Sequence, residues 1–219
     1  MNIDITLLEQ EIMSDIDERR ELMSWVKLLC ARYGFLEEDE QLFLCYSIPI
    51  VYSIWEGFVQ TSFQIYIREL NKLQLGIDDV CDPILIYHIE SKFPQFKQYP
   101  KADANKKVKF FNDLRHFYKT NPLEINPKKT ESNVGFKVLN RILKEFSLEE
   151  IPQVPRPGYP LNTELHKLLD TRNKIAHGQG GAILVRREDL ERAIKVVEEL
   201  MDLVFERIKT GFIEKSYLK

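Results

Sequence analysis

Arg172, Asn173 and His177 stand in one short stretch, Arg172-Asn173-Lys174-Ile175-Ala176-His177-Gly178, and their types suit proton transfer beside a fixed positive charge. Leu161, Leu165, Leu168, Leu169, Ile175 and Ala176 recur at helical spacing and form one apolar stripe with Arg172 at its centre. A guanidinium placed there needs a carboxylate, a bound phosphate or a subunit interface to offset its loss of water. His166, Asp170, Asn173 and His177 follow i, i+4, i+7, i+11 spacing and line one polar flank of the same helix. His177 falls in the last turn before Gly178, where the negative end of the helix dipole favours a cation. It is a credible proton donor near neutral pH. A buried salt bridge at Arg172 and a His177 that only caps the helix would use the same residues.

A second polar residue interrupts an apolar face upstream. Glu56 lies on the stripe of Cys45, Pro49, Tyr52, Val59, Phe63 and Ile67, and a carboxylate in such a place requires a cation or hydrogen-bond donors. Arg172 is the candidate cation; escape to solvent, or a local bond to Tyr52 or Gln60, is the alternative.

The elements that must position these groups read as helices, because glycine is scarce and apolar residues recur every three or four positions. Seven are predicted, at about 5–32, 39–73, 84–93, 105–118, 134–146, 161–177 and 189–213. Pro49 is expected to kink or split the second. The last carries a core stripe of Leu190, Ala193, Ile194, Val197, Met201, Val204 and Ile208, as in a helical bundle.

Pro83, Pro94, Pro100, Pro122 and Pro127 break up the middle of the chain. The reading is one domain over 1–219, with a core at about 1–76 and 134–219 and a basic, proline-broken helical insertion at about 77–133. Between Lys92 and Glu145, 13 Lys or Arg face five Asp or Glu, in a chain whose formal net charge is −3. Lys106, Lys107 and Lys109 are candidate phosphate contacts there. Phe93, Phe96, Tyr99, Phe110, Phe111, Phe117 and Tyr118 accompany the charge and could stack on bases or build a small local core.

Composition and motifs exclude several classes. Cys30, Cys45 and Cys81 show no CxxC pair and no zinc-ligand spacing, so reduced buried thiols are expected and neither metal nor cofactor is called for. The most apolar run, 48–59, is about a dozen residues against the roughly 20 that span a bilayer, and reads as core. The polar N-terminus does not resemble a secretory signal, which predicts a cytoplasmic location without a membrane partner. A Gly-rich phosphate loop, an acidic cluster for paired magnesium ions and a nucleophile triad are all missing.

At the start of the last helical pair of an all-α chain, the 172–178 stretch resembles the R-x4-H signature of the HEPN superfamily. Residues 161–208 look like that family's C-terminal helix pair, and Tyr52-Ser53-Ile54-Trp55-Glu56-Gly57-Phe58 resembles its long helix in prokaryotic toxin and defence members. The resemblance implies a metal-independent endoribonuclease, a toxin or phage-defence effector acting as a homodimer with its two motifs facing each other. In that scheme His177 transfers protons, Arg172 binds the phosphate and Asn173 orients either, with Glu56, Asp170 and His166 in support. The implied partners are RNA, a second copy and an antitoxin or other regulatory protein. The competing readings are a non-catalytic HEPN module that binds nucleotide, RNA or protein, and a structural dimerisation domain.

Overall fold

A computed structural model describes residues 5–32, 35–93, 104–117, 123–127, 133–155, 158–179 and 183–219. Among them, seven α-helices follow one another and no strand is longer than an isolated bridge. They are α1 (Ile5–Arg32), α2 (Glu37–Lys72), α3 (Asp82–Lys92), α4 (Ala104–Phe117), α5 (Phe136–Glu145), α6 (Leu161–Lys174) and α7 (Arg187–Ile213). The all-α reading holds.

The centre is a three-helix pack of α1, α2 and α7, with α6 lying across α2 and α7. α1 contributes one face, Leu8, Ile12, Ile16, Met23, Val26 and Cys30, and α7 contributes the predicted stripe, every member of which is buried. α2 differs, because from Leu44 to Leu70 its buried residues occupy most of the helix circumference. A helix that is apolar nearly all round must run through the core. By length and composition α2 could cross a membrane, yet 56% of its most apolar window is buried inside the bundle.

Of the two outcomes expected at Pro49, a kink or a split, the split does not occur, and α2 runs through it. Its ring removes one i→i−4 donor, but the flanking turns are buried on both sides, by Cys45, Ile48, Val51 and Tyr52, and that packing holds the helix through the gap. Gly57 has a spatial reason. A Cβ there would stand 2.9 Å from Arg19 Nη1, whose guanidinium donates to the Ile54 carbonyl at 2.9 Å and pairs with Asp15 at 2.7 Å. All three cysteines are free and buried, as expected.

Both ends of 77–133 belong to the main core. Ile77, Val80, Ile84, Leu123 and Ile125 join the central cluster, Val80 bridges to Leu218, and the Asn71 side chain exchanges two hydrogen bonds with the Ile125 backbone, at 2.9 and 2.8 Å. Phe93 and Phe110 are buried against each other, ring centroids 6.1 Å apart and nearly perpendicular. They form the local core, not free stacking platforms. Phe96, Tyr99 and Tyr118 lie outside the described residues, as do the side chains of Phe111 and Phe117.

Candidate functional site

α6 presents its motif because its other face is anchored. Leu161, Leu165 and Leu168 are buried and Leu169 is half-buried, while His166, Asp170 and Lys174 are exposed. The last predicted members of the stripe divide, with Ile175 buried and Ala176 exposed. The helix is finishing there and its stripe leaves the interface.

The ending is a wide five-residue turn, Ile175–Gln179, in which His177 has φ −91° and ψ 17° and Gly178 has φ 78° and ψ 11°. An i→i+5 turn closed by a glycine in the left-handed region is the Schellman arrangement. It places His177, exposed, in the turn that follows Ile175 at the end of α6. A methyl group on Gly178 would meet nothing within 4 Å, so a side chain there faces only conformational strain. Gly178→Ala should cost about 1–2 kcal/mol in chemical denaturation and displace His177; an unchanged midpoint would show that the turn does not need glycine.

Arg172 is half-buried. Its guanidinium carbon lies 4.8 Å from the centroid of the Tyr52 ring, and Nη1 donates to Asn173 Oδ1 at 2.9 Å. It forms no ion pair among the described residues, whereas Arg19, Arg20, Arg68, Arg187, Arg192 and Arg207 each pair with an acid. The expected Glu56–Arg172 pair is not made within the chain. Glu56, half-buried one turn beyond Tyr52, and Arg172 both act on the Tyr52 hydroxyl, in opposite directions, so the tyrosine stands where the salt bridge was expected. Burial, the largest influence, raises Tyr52 above the ordinary phenol value and keeps it neutral.

Tyr52 itself is fixed. Its hydroxyl accepts the Val134 N–H at 2.9 Å, and Trp55 Nε1 donates to the Val134 carbonyl at 2.8 Å. Tyr52 is the site residue that sequence reasoning missed, although it belongs to the same stripe as Glu56, one turn earlier. An aromatic face also attracts a guanidinium, through the ring quadrupole.

Of the supporting residues, Asp170 holds Lys174 at 2.7 Å and His166 is exposed on the same flank. Lys106 and Lys109 are exposed on α4, with Lys107 half-buried beside them. The site therefore reduces to an un-neutralised guanidinium on a neutral ring, an amide oxygen bonded to it, and an imidazole in the turn at the end of the helix.

A helical bundle with this motif closing its penultimate helix is the HEPN arrangement. The family model described as RiboL-PSP-HEPN matches residues 14–210, a span that takes in α2, the basic segment and the motif, and the chain belongs to that family. Comparisons with curated proteins and with solved structures find no match.

Proposed function

We propose that the protein is a metal-independent endoribonuclease of the HEPN type. The observation that carries this reading is Arg172, a half-buried guanidinium held by a neutral ring and an amide oxygen with its charge not offset by any acid among the described residues. Keeping such a charge out of water without a carboxylate is costly, and a phosphate is the ligand that offsets the cost. RNA supplies its own nucleophile, the 2′-hydroxyl, so cleavage needs a base, an acid for the departing 5′-oxygen and positive charge on the phosphorane. His177 and Arg172 are of those types, and Asn173 orients the guanidinium.

Two copies of the motif would supply one imidazole as acid and one as base, and the active form is a homodimer. Its contact is the free face of α2, where Leu42, Tyr46 and Ile50 repeat one turn apart and are 58%, 61% and 45% exposed. Tyr46→Lys combined with Ile50→Glu should convert the dimer to a monomer in light scattering and abolish cleavage. A wild-type protein that is monomeric at micromolar concentration would overturn the dimer.

Lys106, Lys107 and Lys109 guide RNA toward the site by phosphate contact, in a cytoplasmic effector of the toxin or phage-defence kind controlled by a regulatory protein. The direct test is purified protein on total RNA in EDTA. Fragments with 2′,3′-cyclic phosphate and 5′-hydroxyl ends are expected, and intact RNA would support the non-catalytic binding module instead.

A further inference from the structure

Tyr52 is 1% exposed, yet it lies under the polar end of α6. Two contacts fix it in place, and a third fixes its partner Val134. The Arg172 guanidinium carbon sits 4.8 Å above its ring, the Val134 N–H reaches its hydroxyl at 2.9 Å, and Trp55, three residues along α2, takes the Val134 carbonyl at 2.8 Å. Both backbone polar groups of Val134 are thus held by α2 side chains, and the ring cannot swing without releasing one of them. A carboxylate in the same place would hold Arg172 more strongly but would also neutralise it, and a neutralised guanidinium gives little to a phosphorane. A ring attracts the cation through its quadrupole and leaves the net charge intact. Its fixed position also restricts a long side chain that would otherwise sample many rotamers.

We propose that Tyr52 is a positioning residue for cleavage, presenting a fully charged Arg172 to the scissile phosphate from a ring locked to Val134. This rests on the ribonuclease reading above. Val134 closes the basic segment, so the seat of Arg172 and the end of that segment form one unit.

The test varies the electrostatics of the ring within a phenylalanine series at residue 52, every member of which lacks the hydroxyl bonded to Val134. Tyr52→Phe retains the ring, and phenylalanines with increasing numbers of ring fluorines at that position weaken the cation attraction at nearly constant size. The expected result is a stepwise fall in the single-turnover cleavage rate, about 2- to 30-fold across the series, with RNA affinity changed less than rate. In an Arg172→Ala background the series should be flat, since residues acting through one another do not add. A rate independent of fluorination, or one that falls equally without Arg172, overturns the proposal.

An independent measurement is the Arg172 Nε–Hε resonance, identified by its loss in Arg172→Lys. Seated on a ring, that proton shifts upfield in wild type and in Tyr52→Phe, and returns to an ordinary position in Tyr52→Leu. If wild-type protein cuts no RNA, the ribonuclease reading fails by itself, and this resonance still decides whether Tyr52 holds Arg172. An unshifted wild-type signal overturns the placement as well.

Discussion

His177→Ala lowers RNA cleavage by at least about 10²-fold, the lower range for a lost acid–base group, while leaving the thermal midpoint near that of the wild type. The separation of these two readouts follows from where the residue sits. His177 is exposed in the turn at the end of α6, and its truncation leaves no buried partner unsatisfied among the described residues; surface changes of that kind fall within about 0.5 kcal/mol. Arg172→Ala should cost a similar factor in rate, because one charge-stabilising donor is worth about 10²–10³. Its folding penalty is also modest. No acid among the described residues depends on Arg172, so the loss is the ring contact, on the order of 0.5–2 kcal/mol, and not the larger penalty of an abandoned buried carboxylate. Cleavage persists in EDTA and spares DNA, which has no 2′-hydroxyl. Requirement for a divalent metal, or wild-type rates from folded His177→Ala protein, would overturn the mechanism.

The largest effect on stability is expected at Trp55. This residue is fully buried, packs beside Phe58 with centroids 6.2 Å apart, and donates to the Val134 carbonyl at 2.8 Å. Trp55→Ala should destabilise the protein by about 3–5 kcal/mol, a large share of the roughly 5–15 kcal/mol typical of a folded domain. Trp55→Phe isolates the hydrogen bond: much of the volume stays, the Val134 carbonyl loses its donor, and about 1–3 kcal/mol is expected. Urea titrations of both variants check this. A Trp55→Phe variant as stable as the wild type would mean that the bond to Val134 contributes nothing and that packing alone holds the site's floor.

Helix periodicity made most of the fold legible, since the 3.6-residue repeat of Leu190 to Ile208 and of Leu161 to Leu168 is a direct record of which face is buried. Spacing patterns carry less about breaks. Pro49 removes a donor that propensity alone cannot replace, and only the burial of its neighbours keeps α2 whole. The same limit explains the basic segment. Proline positions and lysine density suggested an insertion within the single domain, and the bonds by which the Asn71 side chain grips the Ile125 backbone leave no trace in composition. At the site, the motif residues were visible from spacing, and the charge on an apolar stripe correctly demanded a neighbour from α2. Choosing Glu56 over Tyr52 followed from weighing charge above ring contact; the two are one helical turn apart, and sequence does not say which of them the guanidinium meets.

The bond between Trp55 and Val134 gives the molecule an optical property. The chain has two tryptophans, and they occupy opposite environments: Trp55 is sealed in the core, and Trp25 is half-exposed on α1. Emission from the first should be short in wavelength and shielded from aqueous quenchers, while emission from the second should be longer and quenchable. The sealed indole and the tyrosine that seats Arg172 are bonded to the same residue, Val134, so its fluorescence follows the state of the ground beneath the motif, with no label added.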